Sequence, residues 1–284
     1  PGGGGDTDHE SRTITGNPVM WRELRQPLFA SPVKRWLGIA SVVIILGTIH
    51  LSTLTLSSND LEPVAIIPSI AALALLILAA AAMPAGTVTT ELEARTWATL
   101  LTTPLSCYQI LVPKVLGSFR RLWPPFVFVT GHLLLCAARG FVHPGAIPFT
   151  LLHFATYAIF LCCTGVLLSL FCRKSAVAST LNITVALILW LLGPMFVGLV
   201  VALFDTNPGD GFGFLFFSHP LVTYGVGLGG LCDDSSRYYM GPLNLNPVPF
   251  FCLWALSLAL YLAAARLVLA YANLNFHRLS TARV

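Results

Sequence analysis

Six stretches of the chain carry no Asp, Glu, Lys or Arg and are apolar almost throughout. They are Trp36 to Asn59, Pro63 to Thr90, Leu122 to Ala138, Gly140 to Cys172, Ser175 to Phe204 and Tyr238 to Ala265. Each supplies the roughly 20 residues that cross a ~30 Å hydrocarbon core as a helix. The runs are continuous and rich in Leu, Ala and Val, whereas barrel strands would alternate apolar and polar positions over about ten residues. The pattern therefore predicts an all-α integral membrane protein with six transmembrane helices. Ahead of the first run, "PGGGGDTDHESRTITG" over residues 1–16 is Gly-rich and polar, and is read as a disordered tail. The polar stretch between this tail and the first run carries no small-residue cleavage site, so that run is expected to be a retained helix rather than a signal peptide.

The polar stretches between the runs differ in kind. In "NPVMWRELRQPLF", from Asn17 to Phe29, Asn17 can cap a helix and Pro18 can be its first residue. At 100° per residue Met20, Trp21, Leu24 and Leu28 share one side, with Arg22, Glu23 and Gln26 on the other. Arg25 adds a further positive charge near its end. This predicts an interfacial helix lying flat at the membrane surface.

The segment over residues 87–121 predicts two further amphipathic helices joined by a turn. Glu91 and Glu93 lie near the positive end of the first, which Thr89 or Thr90 can cap, and Glu91 stands four residues before Arg95. Leu92, Trp97, Leu100 and Leu101 form its apolar stripe. Pro104 ends it, and "SCYQ" from Ser106 to Gln109 has the form of a capping box that opens the second helix, with apolar positions at Ile110, Leu111, Val115, Leu116 and Phe119. The connection at Arg173 and Lys174 is, by contrast, a tight basic turn. The longest connection, over residues 205–247, contains "FGFLFFSHPLVTYGVGLGG"; it is too apolar for a free loop and is broken by Gly and Pro, which predicts a re-entrant segment shielded by protein.

Composition and charge sharpen this picture. Hydrophobic residues make up 56% of the 284 and charged residues 10%, with a mean hydropathy of +0.78, which excludes an ordinary soluble domain. Basic residues 12, 22, 25, 34, 35, 95, 114, 120, 121, 173, 174, 278 and 283 fall on the side of the N-terminus, which is 13 of the 16 Lys and Arg, while Arg139 and Arg237 fall on the other. By the positive-inside rule both termini are then cytoplasmic. Arg266, near the inner end of the last run, can snorkel to the headgroups. The net charge of +4 follows from this bias, and no nucleic-acid partner is expected. The seven cysteines are scattered, odd in number and without a CxxC pair, so they are read as buried fillers and not as disulfides or metal ligands.

Chemistry of its own is hard to find. The chain has no GxxxxGK[ST], HExxH or GxSxG. Gly225, Gly227 and Gly230 satisfy GxGxxG, but without the strand and helix context that gives the motif meaning. No carboxylate falls inside a predicted span, which speaks against ion-coupled transport. His132 and His153 are read as hydrogen-bonded interior residues of spans. Ser169, Thr164, Gly165, Asn182 and Thr184 are read as helix-packing positions, and Gly193 with Pro194 as a kink in the fifth span. The residues alone leave open a permease driven by a partner, a membrane scaffold or assembly factor without a pathway, and, less favoured, a secondary transporter or channel.

"NPVMWRELRQP" and, after the second span, "TVTTELEARTWATLLTTPLSCYQILVPKVLG" resemble the permease subunits of ABC-2 type ABC transporters. The resemblance implies a six-span permease domain over residues 17–284, without ATPase activity of its own. It implies pairing with a second permease chain, identical or related, in the cell (inner, cytoplasmic) membrane, and export as the direction. ATP and Mg would be bound by a separate ATP-binding subunit, with no cofactor in this chain. By position, Asn17 to Phe29 resembles the connecting helix, with Asn17, Pro18, Trp21, Arg22, Glu23 and Arg25 at its core, and Glu91 to Leu101 resembles the coupling helix. Trp97, Leu100 and Leu101 would be its apolar anchors on the ATPase, with Glu91, Glu93 and Arg95 setting charge register. Residues 205–247 would close the outer end. The chain departs from the family pattern in having Pro113, where Gly is common, before Lys114.

Overall fold

The computed structural model describes residues 17–25, 31–55, 62–204, 219–232, 238–240, 243–276 and 278. They form helices α1 (Pro18–Arg25), α2 (Pro32–Ser52), α3 (Glu62–Ala82), α4 (Thr89–Glu93), α5 (Trp97–Leu101), α6 (Cys107–Arg121), α7 (Trp123–Ala138), α8 (Ala146–Phe171), α9 (Ser175–Leu187), α10 (Gly193–Phe204), α11 (Pro220–Cys232) and α12 (Pro247–Leu274). Five helical stretches are long and apolar enough to cross a membrane, and a sixth span results if α6 and α7, bent by 43° at Leu122, are taken together. The bend has a local cause. Pro124 and Pro125 open α7 and lack the N–H groups that would extend α6, so α7 starts afresh.

The fold is all-α, apart from a hairpin in which β1 (Tyr238–Met240) pairs antiparallel with β2 (Leu243–Leu245). The charge-free run from Tyr238 thus opens with this hairpin, and the sixth span begins at Pro247, where the long connection was expected to end. The hairpin's Tyr, Met and Leu residues keep the run free of charge, and Asn246 and Pro247 begin the helix after it. The span ends later than expected, at Leu274, and carries Arg266 on an exposed face.

α8 is the axis of the bundle. It is buried over most of its length against α3, α6, α9 and α12, with Leu152 and Phe171 among its exposed residues. Small and polar residues let its neighbours approach. A Cβ on Gly165 would lie 2.9 Å from Pro84 Cβ and 3.0 Å from the Ala85 backbone nitrogen, so only Gly fits where α8 meets the turn after α3. Beside it, the fully buried Asn182 donates from Nδ2 to the carbonyls of Ala81 (2.8 Å) and Leu161 (3.2 Å), and its Oδ1 accepts from Thr164 Oγ1 (2.8 Å). One amide thus joins α3, α8 and α9. Replacing Asn182 by Leu should destabilise the protein by about 1–3 kcal/mol, because the Thr164 hydroxyl and two carbonyls lose a partner in an apolar core. Thermal unfolding in detergent checks this.

The fifth span is interrupted, as Gly193 and Pro194 suggest, by a π-helical turn over Ile188–Leu192. Gly193 donates to the Ile188 carbonyl, an i to i+5 bond, and the wider turn makes room for the Pro194 ring. Trp190 in this turn donates to Tyr261 Oη at 2.7 Å, holding the fifth span to α12.

Within the long connection, α11 has 13 residues, about 20 Å at 1.5 Å per residue, which is too short to cross the membrane. It is seated in the bundle. Tyr224 and Leu228 are fully buried, and a Cβ on Gly227 would fall 2.3 Å from the Phe149 ring. Gly225 and Gly227 of the GxGxxG match therefore serve close packing, the first against Ile70 of α3 and the second against Phe149 of α8. His153 anchors the start of α11, donating from Nε2 to the Pro220 carbonyl (2.9 Å) while Nδ1 accepts from Trp254 Nε1 (3.1 Å). Residues 205–218 of the connection lie outside the described residues.

Candidate functional site: a buried ion cluster at the basic end

At the end of the bundle opposite α11, the chain does not stop after α3. A 3-10 turn, Pro84–Gly86, carries it into α4, with the hydroxyls of Thr87 and Thr90 bonded back to the carbonyls of Pro84 (2.8 Å) and Gly86 (2.7 Å). Thr89 and Thr90 are thus inside the continuing helix and do not cap it. α4 ends at Arg95, whose φ of 57° is left-handed. Arg95 N–H donates to Leu92 O (3.1 Å) and Thr96 N–H to Glu91 O (2.9 Å), the pair of bonds of a Schellman motif, with arginine in the slot usually given to glycine. The single helix expected over Glu91 to Leu101 is therefore two short ones, α4 and α5, meeting at a tip. The expected Glu91 to Arg95 spacing is lost with it, since Arg95 no longer lies one helical turn above Glu91.

The next helix starts as the sequence predicts. Ser106 Oγ accepts from Gln109 N–H (3.3 Å), and Gln109 Oε1 accepts from Ser106 N–H (2.9 Å), a reciprocal capping box. α6 runs through Pro113 without breaking. Proline has no N–H for the carbonyl four residues earlier, which is that of Gln109. That carbonyl instead accepts from Asn17 Nδ2 at 2.6 Å. Asn17 in turn caps α1 through Oδ1, which accepts from Val19 N–H (2.9 Å) and Met20 N–H (3.3 Å). Pro113 thus frees the acceptor that fixes α1 to α6.

α1 lies against α6 with Val19 and Glu23 inward. The contact is close: a Cβ on Gly117 would lie 2.9 Å from Glu23 Cβ. Trp21, 41% exposed, faces outward with Arg25 stacked 4.4 Å over its ring. Glu23, expected on the water side of an amphipathic helix, is instead 5% exposed because it meets a buried cation. Leu28 and Gln26 lie outside the described residues.

That cation is Lys114, which is fully buried. Its Nζ donates to Glu91 Oε1 (2.9 Å) and to the Thr87 carbonyl (3.1 Å), and stands 3.6 Å from Glu23 Oε1. Arg22 pairs with Glu91 and, at 3.4 Å, with Glu23. Arg121 reaches Glu23 Oε2 at 3.4 Å. Three cations and two carboxylates from α1, α4 and α6 so form one network, in which burying charge is tolerable because each charge has partners.

The other expected contact residues are distributed differently. Glu93 accepts from Ser175 N–H (2.8 Å) and Ser175 Oγ (3.1 Å), placing its carboxylate at the positive N-terminus of α9. Trp97 is 2% exposed and packs on Phe276 with ring centroids 5.9 Å apart. It is an internal anchor of α5 to the end of the last span. Leu100 and Leu101 are half-buried on the same side. Ala94, Arg95, Thr96, Ala98 and Thr99 remain exposed at the tip. The sequence reading missed Lys114 and Arg121 as partners of the carboxylates. The signal was present, because Lys114 falls in register with Ile110, Leu111 and Ser118 on the buried face of α6.

Fold and site define a multi-pass helical membrane protein with a buried ion cluster at its polar end. Residues 15–278 match the family model described as "ABC-2 family transporter protein", and the chain belongs to that family. It is thus a permease component of an ABC transporter, a kind of membrane subunit that works with an ATP-binding subunit. No individual curated protein shows significant similarity to it.

Proposed function

We propose that this permease is driven through the tip formed by α4 and α5, gripped from the cytoplasm by an ATP-binding subunit that holds ATP and Mg. The observation that carries the reading is the buried ion cluster. It locks α1, α4 and the inner end of the α6/α7 span together, while Ala94, Arg95, Thr96, Ala98 and Thr99 at the tip stay exposed. A push on that tip is transmitted by a rigid joint to two spans at once, which is what a lever between two states requires. Contacts to the partner are made by Arg95 and the small residues around it, with Trp97 holding the lever to its own bundle. Glu91 and Glu93 act inside the joint, not across the interface.

The basic residues gathered at this end support a cytoplasmic face, with both termini inside and the protein in the cell membrane. The apolar outer surface of α2, which buries none of its residues in this chain, suits contact with lipid and a second permease chain. The direction proposed is export, with α11 closing the outer end. Purification of the tagged chain from native membranes in mild detergent tests the reading. It predicts a stoichiometric P-loop ATPase in the complex, whereas a stable complex with non-ATPase proteins alone would make the chain a scaffold.

A further inference from the structure

At the other end of the bundle, the last turn of α2 meets α7 through an unusual trio. His50 Nε2 lies 3.2 Å from His132 Nδ1, and Cys136, one turn beyond His132, places Sγ 3.8 Å from His132 Nε2. One donor atom from each of the three lies within 4.8 Å of the others. His132 and Cys136 are fully buried and His50 is partly exposed, giving an approach from the surface. The sequence reading counted His132 as an interior residue and overlooked His50, although it lies in the first predicted span.

We propose that these three residues bind one Cu(I) ion, clipping the outer end of α2 to α7. Two observations fit a metal ion held between them. Two nitrogens ~2.0 Å from one ion stand on the order of 3.3 Å apart, the spacing His50 and His132 already have. His132 donates its other ring N–H to the Ala65 carbonyl (3.4 Å), the backbone bond that commonly orients a ligating imidazole and leaves Nδ1 as the lone pair.

The choice of ion follows from charge. Binding releases the Cys136 proton, so Cu(I) with one thiolate and two neutral imidazoles is neutral overall, and no redox change is involved. Zn(II) on the same ligands would leave a net positive charge in a largely apolar site. It would do so beside Arg139, whose guanidinium donates to the His50 carbonyl at 3.3 Å. Thiolate and imidazole are also donors that suit Cu(I). The clip matters because α2 has little else to hold it: none of its residues is buried, and Arg139 adds only the carbonyl bond and one to Thr53 at the same end.

The test uses the full chain in detergent, with the three cysteines that are not buried, Cys107, Cys232 and Cys252, replaced by Ser. Cu(I) is titrated anaerobically against a chromophoric chelator, and X-ray absorption is recorded on the loaded protein. The expected result is one tightly bound Cu(I) per chain with two nitrogen neighbours and one sulfur. Cys136→Ser and, separately, His50→Ala should weaken binding by at least about 100-fold, with elution as a monodisperse species showing that each still folds. Unchanged affinity in His50→Ala, or a loaded site without sulfur or nitrogen neighbours, would overturn the proposal. Tight binding of Zn(II) in place of Cu(I) would overturn the assignment of a monovalent ion.

Discussion

Replacing Lys114 by alanine is expected to cost about 3–5 kcal/mol, among the largest effects of any single substitution in this chain. The reason is the asymmetry of buried charge. Lys114 is fully buried and answers Glu91, the Thr87 carbonyl and Glu23. Deleting it leaves those acceptors beside a cavity of about 300 Å³ lined by Arg22, Glu23, Thr87, Glu91 and Arg121, with Arg22 and Arg121 as their remaining cations. Thermal unfolding in detergent should fall on the order of 10 °C. The double variant Lys114→Met with Glu91→Gln should recover part of the loss, because one unpaired charge is removed together with its partner. A Lys114→Ala protein within about 1 kcal/mol of the parent would mean that the cluster behaves like a solvent-exposed ion pair, and the rigid joint would be lost from the account.

The second large effect is expected at Arg95 and concerns binding. A left-handed conformation costs a non-glycine residue roughly 1–2 kcal/mol, and glycine avoids this cost. Nothing in the fold asks for arginine there: the side chain is exposed and makes no ion pair among the described residues. A strained, exposed cation at the tip of a lever is explained by a partner that uses it. Arg95→Gly should therefore leave stability within about 1 kcal/mol of the parent, yet weaken binding of the ATP-binding subunit about 10-fold. Arg95→Glu should weaken it about 100-fold or more, because reversal adds like-charge repulsion to the lost contact. Titration of the purified ATP-binding subunit onto each variant in nanodiscs measures both. Affinities equal to the parent in the two variants would remove Arg95 from the interface.

The spans were legible because a bilayer imposes a one-dimensional rule, about 20 apolar residues in a row, that needs no tertiary information. The rule failed where apolar residues had another use. The charge-free run from Tyr238 opens with the β1–β2 hairpin, and the helix itself starts only at Pro247. Local chemistry with a fixed spacing was equally legible, as at Asn17, Ser106 and Gln109. The tip was not, because the break at Arg95 falls on a good helix former, and only the Schellman bonds reveal it. Nor could spacing pair Glu91 with Lys114, 23 positions away, when Arg95 stood at the favoured four. Gly117 and the carbonyl that Pro113 leaves free hold α1 on α6, which brings Arg22 and Glu23 into the same cluster, and both effects exist only in three dimensions. Trp97 shows the same limit from the other side: an aromatic residue on a short polar segment looks like an anchor for a partner, and its partner is Phe276 of the same chain.

The account rests on the tip being the place where an ATP-binding subunit takes hold. A single cysteine at the exposed Thr99, in a chain whose other accessible cysteines are replaced, tests this most directly when the complex is treated with a short bifunctional thiol reagent in sealed cells and in opened membranes. The prediction is a cross-link to the ATP-binding subunit that changes in yield when ATP is added, and no labelling by an impermeant reagent until the membrane is opened. Labelling of that cysteine from outside intact cells, or a cross-link to other proteins alone, would contradict it.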